Sequence, residues 1–343
     1  MSYTIQSSEK LRKLGADMET KALLYLMNFR DDSNEIYYFI VDFFNDLTGM
    51  NKSSSKLWDL QSKASTNNSP KIIGRELVTL FKNFISSLKF DSYILFIGGV
   101  SKTFRKDNTQ NVFDINNVTE NALRSLIEGL KNEATKKTYI DKTLLNSKVI
   151  NEFLNNIVFV IDDKKPSEYV KAIIKNHPNI IPEDRILDAI FNEIRDKQSD
   201  KKNISIVEGI TIETSDEALN YYRHLSTNEI KLLTLQRIIS RDPVGNGVPI
   251  SFMPIQKQCP PERLSDVLDD CKQTLCRALF NKNAAESFWS IFECVYTLIV
   301  NNPKDDVQNI YNKVGSGLIE QSPDFDTLSI KYFIAIVKDG IQR

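Results

Sequence analysis

The sequence predicts an α/β protein in which a mixed β-sheet flanked by helices fills residues 8–165 and a mostly α-helical domain fills residues 166–343. In the first half, short runs rich in aromatic and β-branched residues alternate with segments of helical period. In the second half, apolar residues recur mainly at helical spacing. A chain of 343 residues with 41% apolar content also has enough apolar surface for two domains.

The first predicted element is a helix. Ser7 and Ser8 are suited to its N-cap, and apolar residues recur at helical spacing from there to about Asn28. Glu19 lies on the apolar side of this helix, where an unpaired buried carboxylate would be costly. Two explanations remain open: Glu19 helps to bind a metal ion, or it pairs with a lysine.

Two strands are predicted next, over residues 35–44 and 57–64. They are expected to pair directly as a hairpin, because the segment over residues 45–55 has a turn-like composition. A helix over residues 71–88 then leads to a short apolar run at residues 92–97. This run is typical of a buried strand that lies parallel to its neighbour, with the helix as the crossover.

The remaining elements are predicted from the same patterns. In the first half they are helices over residues 117–134 and 143–155 and a strand over residues 157–161. In the second half they are helices over residues 183–195, 217–224 and 227–240, an edge strand within residues 204–212, and two amphipathic stripes over residues 264–279 and 288–299. The apolar stripes suit either a helical core or a domain that docks onto a partner or regulates activity.

Composition excludes several classes of function. The 44 basic and 45 acidic residues nearly cancel, so a bulk electrostatic attraction to nucleic acid is not expected. His177 and His224 are the only histidines, which leaves little material for histidine-based triads or metal sites. The first residues lack the apolar core of a signal peptide, and the chain has no run of about 18 apolar residues. A cytoplasmic location without membrane contact is therefore predicted.

One set of residues suggests phosphodiester hydrolysis, which needs a divalent metal, an activated water and neutralisation of developing negative charge. Asp46 follows the first predicted strand, and Gln61 and Lys63 end the second. Since side chains alternate along a strand, Asp59, Gln61 and Lys63 are predicted to share one face. An oxygen-rich set of this kind suits Mg²⁺ or Mn²⁺, and Asp42 and Asp59 are further acidic candidates.

The segment from Gly15 to Glu19, Asp46 with its preceding Asn, and Gln61 with Lys63 resemble the PD-(D/E)xK nuclease superfamily in its Q-x-K form. Within it, the chain is most similar to the Mrr-like and CBASS-effector type endonuclease domains of bacterial anti-phage systems, whose relatives include Lamassu-type subunits. The resemblance covers residues 8–165 and implies a restriction-endonuclease-like fold. It also implies that Asp46, Gln61 and Glu19 bind Mg²⁺ or Mn²⁺ and that Lys63 is the catalytic lysine.

The resemblance further implies a metal-dependent endodeoxyribonuclease that acts on double-stranded DNA as a subunit of an anti-phage defence system. Protein partners are then expected to restrain or activate it, namely an SMC-like or other ATPase or a sensor, with a homo-oligomer also possible. Alternative hypotheses are a catalytically inactive nuclease-fold scaffold and a nucleic-acid-binding regulator. Lys52, Lys56, Lys102 and Arg105 lie in loops and are candidates for contacts with DNA phosphates, although solvated loops are the simpler explanation.

Overall fold

The computed structural model describes residues 2–5, 13–174, 177–245, 247–281 and 283–341, so the predicted N-cap at Ser7 and Ser8 lies outside the described residues. The chain divides into two compact units. The first comprises Met1–Tyr169 and Phe191–Thr227, and the second comprises Val170–Ile190 and Asn228–Arg343. The division differs from the predicted boundary at residue 165 because Phe191–Thr227 belongs to the first unit.

The described strands all belong to the first unit. They are β1 (Tyr3–Thr4), β2 (Ile36–Val41), β3 (Leu47–Asn51), β4 (Leu57–Lys63), β5 (Ser92–Ile97), β6 (Val112–Phe113), β7 (Ile157–Ile161), β8 (Thr211–Ile212) and β9 (His224–Ser226). β1 pairs with β8, and the others form a seven-stranded sheet in the order β6-β7-β5-β4-β3-β2-β9. The sheet is mixed, since β4, β5 and β7 run parallel whereas β2, β3 and β4 are antiparallel. The predicted α/β class is confirmed.

The helices of the first half are α1 (Lys13–Asn28), α2 (Pro70–Glu76), α3 (Val78–Phe84), α4 (Glu120–Lys136) and α5 (Ser147–Asn155). They are followed by α6 (Pro166–Lys171), α7 (Asp184–Asn203), α8 (Thr227–Ile238), α9 (Met253–Gln256), α10 (Leu264–Phe280), α11 (Ala285–Asn301), α12 (Val307–Lys313), α13 (Ser316–Glu320) and α14 (Thr327–Ile341). The second unit is helical, and its core includes Phe288 of α11 and Phe333 of α14, whose ring centroids lie 5.5 Å apart. Across the described ranges, no helix has both the length and the apolar content that crossing a bilayer requires.

The predicted direct pairing of the first two strands is wrong. β3 lies between β2 and β4 and pairs antiparallel with both. Its polar and glycine-containing sequence is typical of a turn, yet Leu47, Thr48 and Met50 have no exposed surface. β3 is therefore a central strand, and the segment over residues 45–55 contains the whole of this strand as well as a turn.

The predicted helix over residues 71–88 is two helices, α2 and α3, which meet at Leu77. Ser69 caps α2 by accepting a hydrogen bond from the Ile72 N–H, and Pro70 occupies the first turn, where its missing N–H costs nothing. β5 then pairs parallel with β4, as predicted.

Between residues 204 and 224, one prediction is wrong and a second is confirmed only in part. In place of a helix over residues 217–224, a 3₁₀ helix covers Ser215–Tyr221, and β9 follows and pairs with β2. Tyr222 has a left-handed φ of 58°, which ends the helix. The predicted edge strand is limited to β8, and β9 instead protects the edge of β2.

Two glycines allow α2 and α4 to cross at backbone contact. A Cβ atom on Gly74 would lie 2.0 Å from the Leu126 carbonyl oxygen, and one on Gly129 would lie 2.1 Å from the Lys71 carbonyl oxygen. A backbone carbonyl cannot rotate away as the end of a flexible side chain can. A residue larger than glycine in place of Gly74 or Gly129 would therefore push α2 and α4 apart. This crossing sets the position of the C-terminal ends of α2 and α4.

Gly129→Ala is expected to lower the free energy of unfolding by about 2 kcal/mol or more, because the added methyl group overlaps a backbone oxygen. Gly15→Ala is the matched control, since a Cβ there has no neighbour within 4 Å. It is expected to stabilise α1 by about 0.5–1 kcal/mol. Urea denaturation followed by circular dichroism measures both changes, and equal effects of the two substitutions would contradict the close crossing.

Candidate functional site

A pocket of about 360 Å³ lies beside the end of β2, the start of β3 and the end of β4. Residues from α2, α3 and the end of α4 complete its wall. Its volume is within the range of about 300–1,000 Å³ that is usual for ligand sites. Four of the sequence-predicted residues line it: Asp42, Asp46, Gln61 and Lys63.

Asp46 is held by three hydrogen bonds to one of its carboxylate oxygens. Oδ2 accepts from Gln61 Nε2 at 2.7 Å, from the Ser62 backbone N–H at 2.9 Å and from Ser62 Oγ at 3.1 Å. The antiparallel pairing of β3 with β4 ends at Leu47 and Leu60. The Ser62 N–H lies beyond this last pair, so it donates to the Asp46 side chain instead of to β3. The end of the strand pair therefore fixes the carboxylate.

The orientation of the Gln61 amide follows from this contact. A carboxylate can only accept hydrogen bonds, so Gln61 must turn its NH₂ group to Asp46 and keep Oε1 as an acceptor. No hydrogen bond from another described residue reaches Asp46 Oδ1 or Gln61 Oε1. Gln61 is 4% exposed, so its orientation is restricted by packing as well. The pair thus offers two oxygens to a ligand in the pocket.

Lys63 lies two positions beyond Gln61 on β4, and both side chains line the pocket, as the alternation of a strand predicts. Its Nζ lies 3.3 Å from Glu76 Oε2 at the end of α2. This ion pair links the lysine to the helix whose position is set by the glycine crossing. Lys63 is about one quarter exposed.

Asp59 does not line the pocket, although it was predicted to share a face with Gln61 and Lys63. It is fully buried, and its Oδ2 accepts a hydrogen bond from Asn83 Nδ2 at 2.7 Å. Burial raises the pKa of Asp59 to about 7, and the hydrogen bond from Asn83 only partly opposes this. Of the two additional acidic candidates, Asp42 therefore reaches the pocket and Asp59 does not.

Glu19 forms an ion pair with Lys202, with 2.6 Å between Oε2 and Nζ. The structure thus contains the lysine partner that was one of the two explanations for this carboxylate. Burial raises the pKa of Glu19 to about 7; the Lys202 ammonium opposes this effect, and the carboxylates of Asp46 and Asp42 add to it. Glu19 is electrostatically coupled to Asp46, although it does not line the pocket.

Asp42 and the end of α7 are joined by Arg223. Arg223 donates from Nη1 to the Asp42 carbonyl at 2.5 Å, and the same nitrogen lies 3.6 Å from Asp42 Oδ2. Its Nη2 donates to the carbonyl of Lys202. Asp42 has a left-handed φ of 48°, a conformation that aspartate tolerates better than most residues. Lys202 and Arg223 were missed in the sequence because they are distant along the chain and carry no motif.

The four predicted DNA-contacting residues lie elsewhere. Lys56 pairs with Glu35 at 2.5 Å, and Lys52 lies over an aromatic ring. Arg105 donates to a loop carbonyl at 2.5 Å, and Lys102 is exposed. None of them lines the pocket, whose cationic side chains among the described residues are Lys63, Arg75, Lys82 and Lys137. The last three belong to no sequence motif and were not predicted.

Among the described residues, the four cationic side chains of the pocket are matched by four acidic ones, Asp42, Asp46, Glu76 and Glu133. The oxygens of Asp46 and Gln61 are hard donors of the type that Mg²⁺ and Mn²⁺ prefer, and the ion would keep several waters. Among the described residues, no three His, Cys, Asp or Glu side chains are grouped so that they could hold a metal. The residues fit an ion held by one carboxylate and one amide oxygen. A search of family models, curated proteins and solved structures found no match to this chain.

Proposed function

We propose that the first unit is a metal-dependent endodeoxyribonuclease of the PD-(D/E)xK type in its Q-x-K form. The observation that supports this most is the 2.7 Å contact between Asp46 and Gln61 in the pocket that Lys63 also lines. One acid, one amide oxygen and one lysine are the residue types that the resemblance assigns to the reaction. They converge here from two adjacent strands.

Each residue has a proposed role. Asp46 and Gln61 would hold Mg²⁺ or Mn²⁺ through their oxygens, and Lys63 would place its ammonium at the reacting phosphate, where negative charge develops. When bound, the metal supplies a Lewis acid and lowers the pKa of a bound water. Glu76 orients Lys63 through their 3.3 Å contact. Glu19 completes the site through its electrostatic coupling to Asp46.

Double-stranded DNA is the proposed substrate. Arg75 is exposed where it lines the pocket, so it is available to the phosphates that flank the scissile one. Lys137 also lines the pocket, but it pairs with Glu133 at 3.3 Å. Since acidic and basic side chains balance in the pocket, a bound divalent cation would shift its net charge in favour of DNA. A site that depends on its metal in this way suits an effector of anti-phage defence that a partner, such as an ATPase or a sensor, restrains or activates.

A catalytically inactive scaffold on the same fold is the second candidate. The observation that favours it is the ion pair between Glu19 and Lys202. The lysine already neutralises a carboxylate that the resemblance assigns to the metal. In this hypothesis, the buried pair replaces the ion and the fold serves only to bind other proteins.

Metal dependence separates the two candidates. With Mg²⁺ or Mn²⁺ the purified protein is expected to nick and linearise supercoiled plasmid, and EDTA is expected to abolish cleavage. Asp46→Asn should reduce the rate at least about 100-fold, because it removes a metal-binding charge. Initial rates of plasmid cleavage are measured on agarose gels. Isothermal titration calorimetry with Mn²⁺ measures metal binding as a second readout, which needs no activating partner. The scaffold hypothesis is favoured if the unchanged protein neither binds Mn²⁺ nor cuts DNA and Asp46→Asn behaves in the same way.

A further inference from the structure

Lys82 of α3 lines the same pocket as Asp46, Gln61 and Lys63. It is half-buried, and its Nζ donates a hydrogen bond to the Tyr3 hydroxyl at 2.6 Å. No carboxylate of the described residues lies within ion-pair distance of this ammonium. A partly buried cation without an anionic partner is costly, and an anionic ligand in the pocket would remove that cost.

A chain of buried hydrogen bonds fixes Lys82. The Tyr3 hydroxyl donates to Asn83 Oδ1 at 2.7 Å, and Asn83 Nδ2 donates to Asp59 Oδ2 at 2.7 Å. Lys82 Nζ also lies 4.7 Å from the centroid of the Tyr3 ring. An ammonium has three N–H bonds. Because Tyr3 accepts one of them, two remain for a ligand.

The electrostatic surroundings of Lys82 differ from those of an ordinary surface lysine. Burial lowers the pKa of Lys82 to about 8, and the carboxylate of Asp59 opposes this. In the described ranges, the other charged groups that share its pockets are the acids Asp42, Asp46, Glu76, Glu133 and Asp141 and the bases Lys63, Arg75 and Lys137. The phenols Tyr3 and Tyr139 also face it. An ammonium of this kind is charged near neutral pH and gives up its proton readily.

We propose that Lys82 is a further catalytic residue, which protonates the leaving oxygen of the DNA strand; this rests on the nuclease function proposed above. The oxygen of a water molecule forms a bond to phosphorus and releases a proton to solvent. The bond from phosphorus to the leaving oxygen breaks, and that oxygen takes a proton from Lys82. The products are a phosphate monoester and a hydroxyl group, and the neutral Lys82 amine regains its proton from solvent.

The two lysines of the pocket therefore have different tasks. Lys63 is paired with Glu76, and its ammonium is suited to stabilising negative charge on the phosphate. Lys82 has a hydroxyl rather than a carboxylate as its partner. Different environments of this kind separate the roles of like groups in one site.

A change of leaving group tests the proposal. A p-nitrophenyl ester of thymidine 5′-phosphate releases p-nitrophenolate, which needs no protonation, whereas DNA releases an alkoxide. Lys82→Met is expected to slow DNA cleavage at least about 100-fold but hydrolysis of the ester less than about 10-fold. Lys148→Met on the exposed face of α5 is the control and is expected to change neither rate.

Lys82→Arg provides a second variant if Lys82→Met does not fold. Arginine keeps the charge but does not release its proton, so KM for DNA should stay within a few-fold while kcat falls. In the unchanged protein, the rate of DNA cleavage should decline as the pH rises above about 8. This decline should be absent in the arginine variant and in hydrolysis of the ester.

The outcomes separate this inference from the proposed function. If the unchanged protein cleaves DNA and Lys82→Met slows both substrates equally, or slows neither, Lys82 does not protonate the leaving group and the nuclease assignment stands. If the unchanged protein hydrolyses neither substrate and binds no Mn²⁺, the nuclease assignment fails and this inference fails with it.

Discussion

Lys63→Ala is expected to reduce metal-dependent DNA cleavage by about 100- to 1,000-fold, because a preorganised charge at the reacting phosphate contributes about that much to a rate. The substitution should leave the fold intact, since Lys63 is about one quarter exposed and its partner Glu76 is about one third exposed. Initial rates on supercoiled plasmid with Mn²⁺ measure the effect. Mn²⁺ binding should persist, because Asp46 and Gln61 are unchanged.

Lys148→Ala is the matched control, since this exposed lysine of α5 does not line the pocket. Lys63→Arg should retain more activity than Lys63→Ala because it preserves the charge, although the planar guanidinium will not reproduce the position of the ammonium. Cleavage by Lys63→Ala at the rate of the Lys148→Ala control would remove Lys63 from the proposed reaction.

Asp59→Asn is expected to raise the free energy of unfolding at pH 8 by about 2–4 kcal/mol. The pKa of Asp59 is about 7 in the folded protein, against about 3.9 for an aspartate in an unfolded chain. The folded state therefore binds the proton more tightly, and stability falls as the pH rises from about 4 to about 7. A neutral asparagine removes the charge that causes this fall.

Urea denaturation at pH 5, 7 and 8 in the presence of EDTA measures the effect without interference from metal binding. The gain from Asp59→Asn should be small at pH 5 and large at pH 8. Asp31→Asn changes an exposed carboxylate and serves as the control, with little expected effect at any of the three pH values. A gain that is the same at pH 5 and pH 8 would show that the buried charge of Asp59 does not weaken the fold.

Local pattern was sufficient for the strands with the strongest apolar character. β2, β5 and β7 each appear where a run of aromatic or β-branched residues predicts a strand, because such side chains pack well on a pleated buried surface. β4, whose composition is more mixed, also lies where a strand was predicted. The same alternation placed Gln61 and Lys63 on one face of β4, and both line the pocket. Side-chain direction along a strand is a local property, so the sequence alone determines it.

Local pattern failed where tertiary packing overrides composition. β3 has the polar, glycine-containing sequence of a turn but is buried between two strands, and His224, the first residue of β9, was predicted as the end of a helix. Pairing with neighbours stabilises both strands, and neither neighbour is visible within the segment itself. The alternation that placed Gln61 and Lys63 in the pocket could not show that Asp59, two positions earlier, lies in the core beneath Asn83.

By itself, the sequence determined the α/β class, the helical second half and the trio of Asp46, Gln61 and Lys63, because these depend on periodicity and on residues close in the chain. Tertiary structure alone decided the partners of these groups. Lys202, at the end of α7, forms an ion pair with Glu19, and Tyr3 of β1 accepts a hydrogen bond from Lys82. Such contacts join segments that are far apart in sequence. The electrostatic environment of a buried group is the sum of contacts of this kind, and it exists only once the chain has folded.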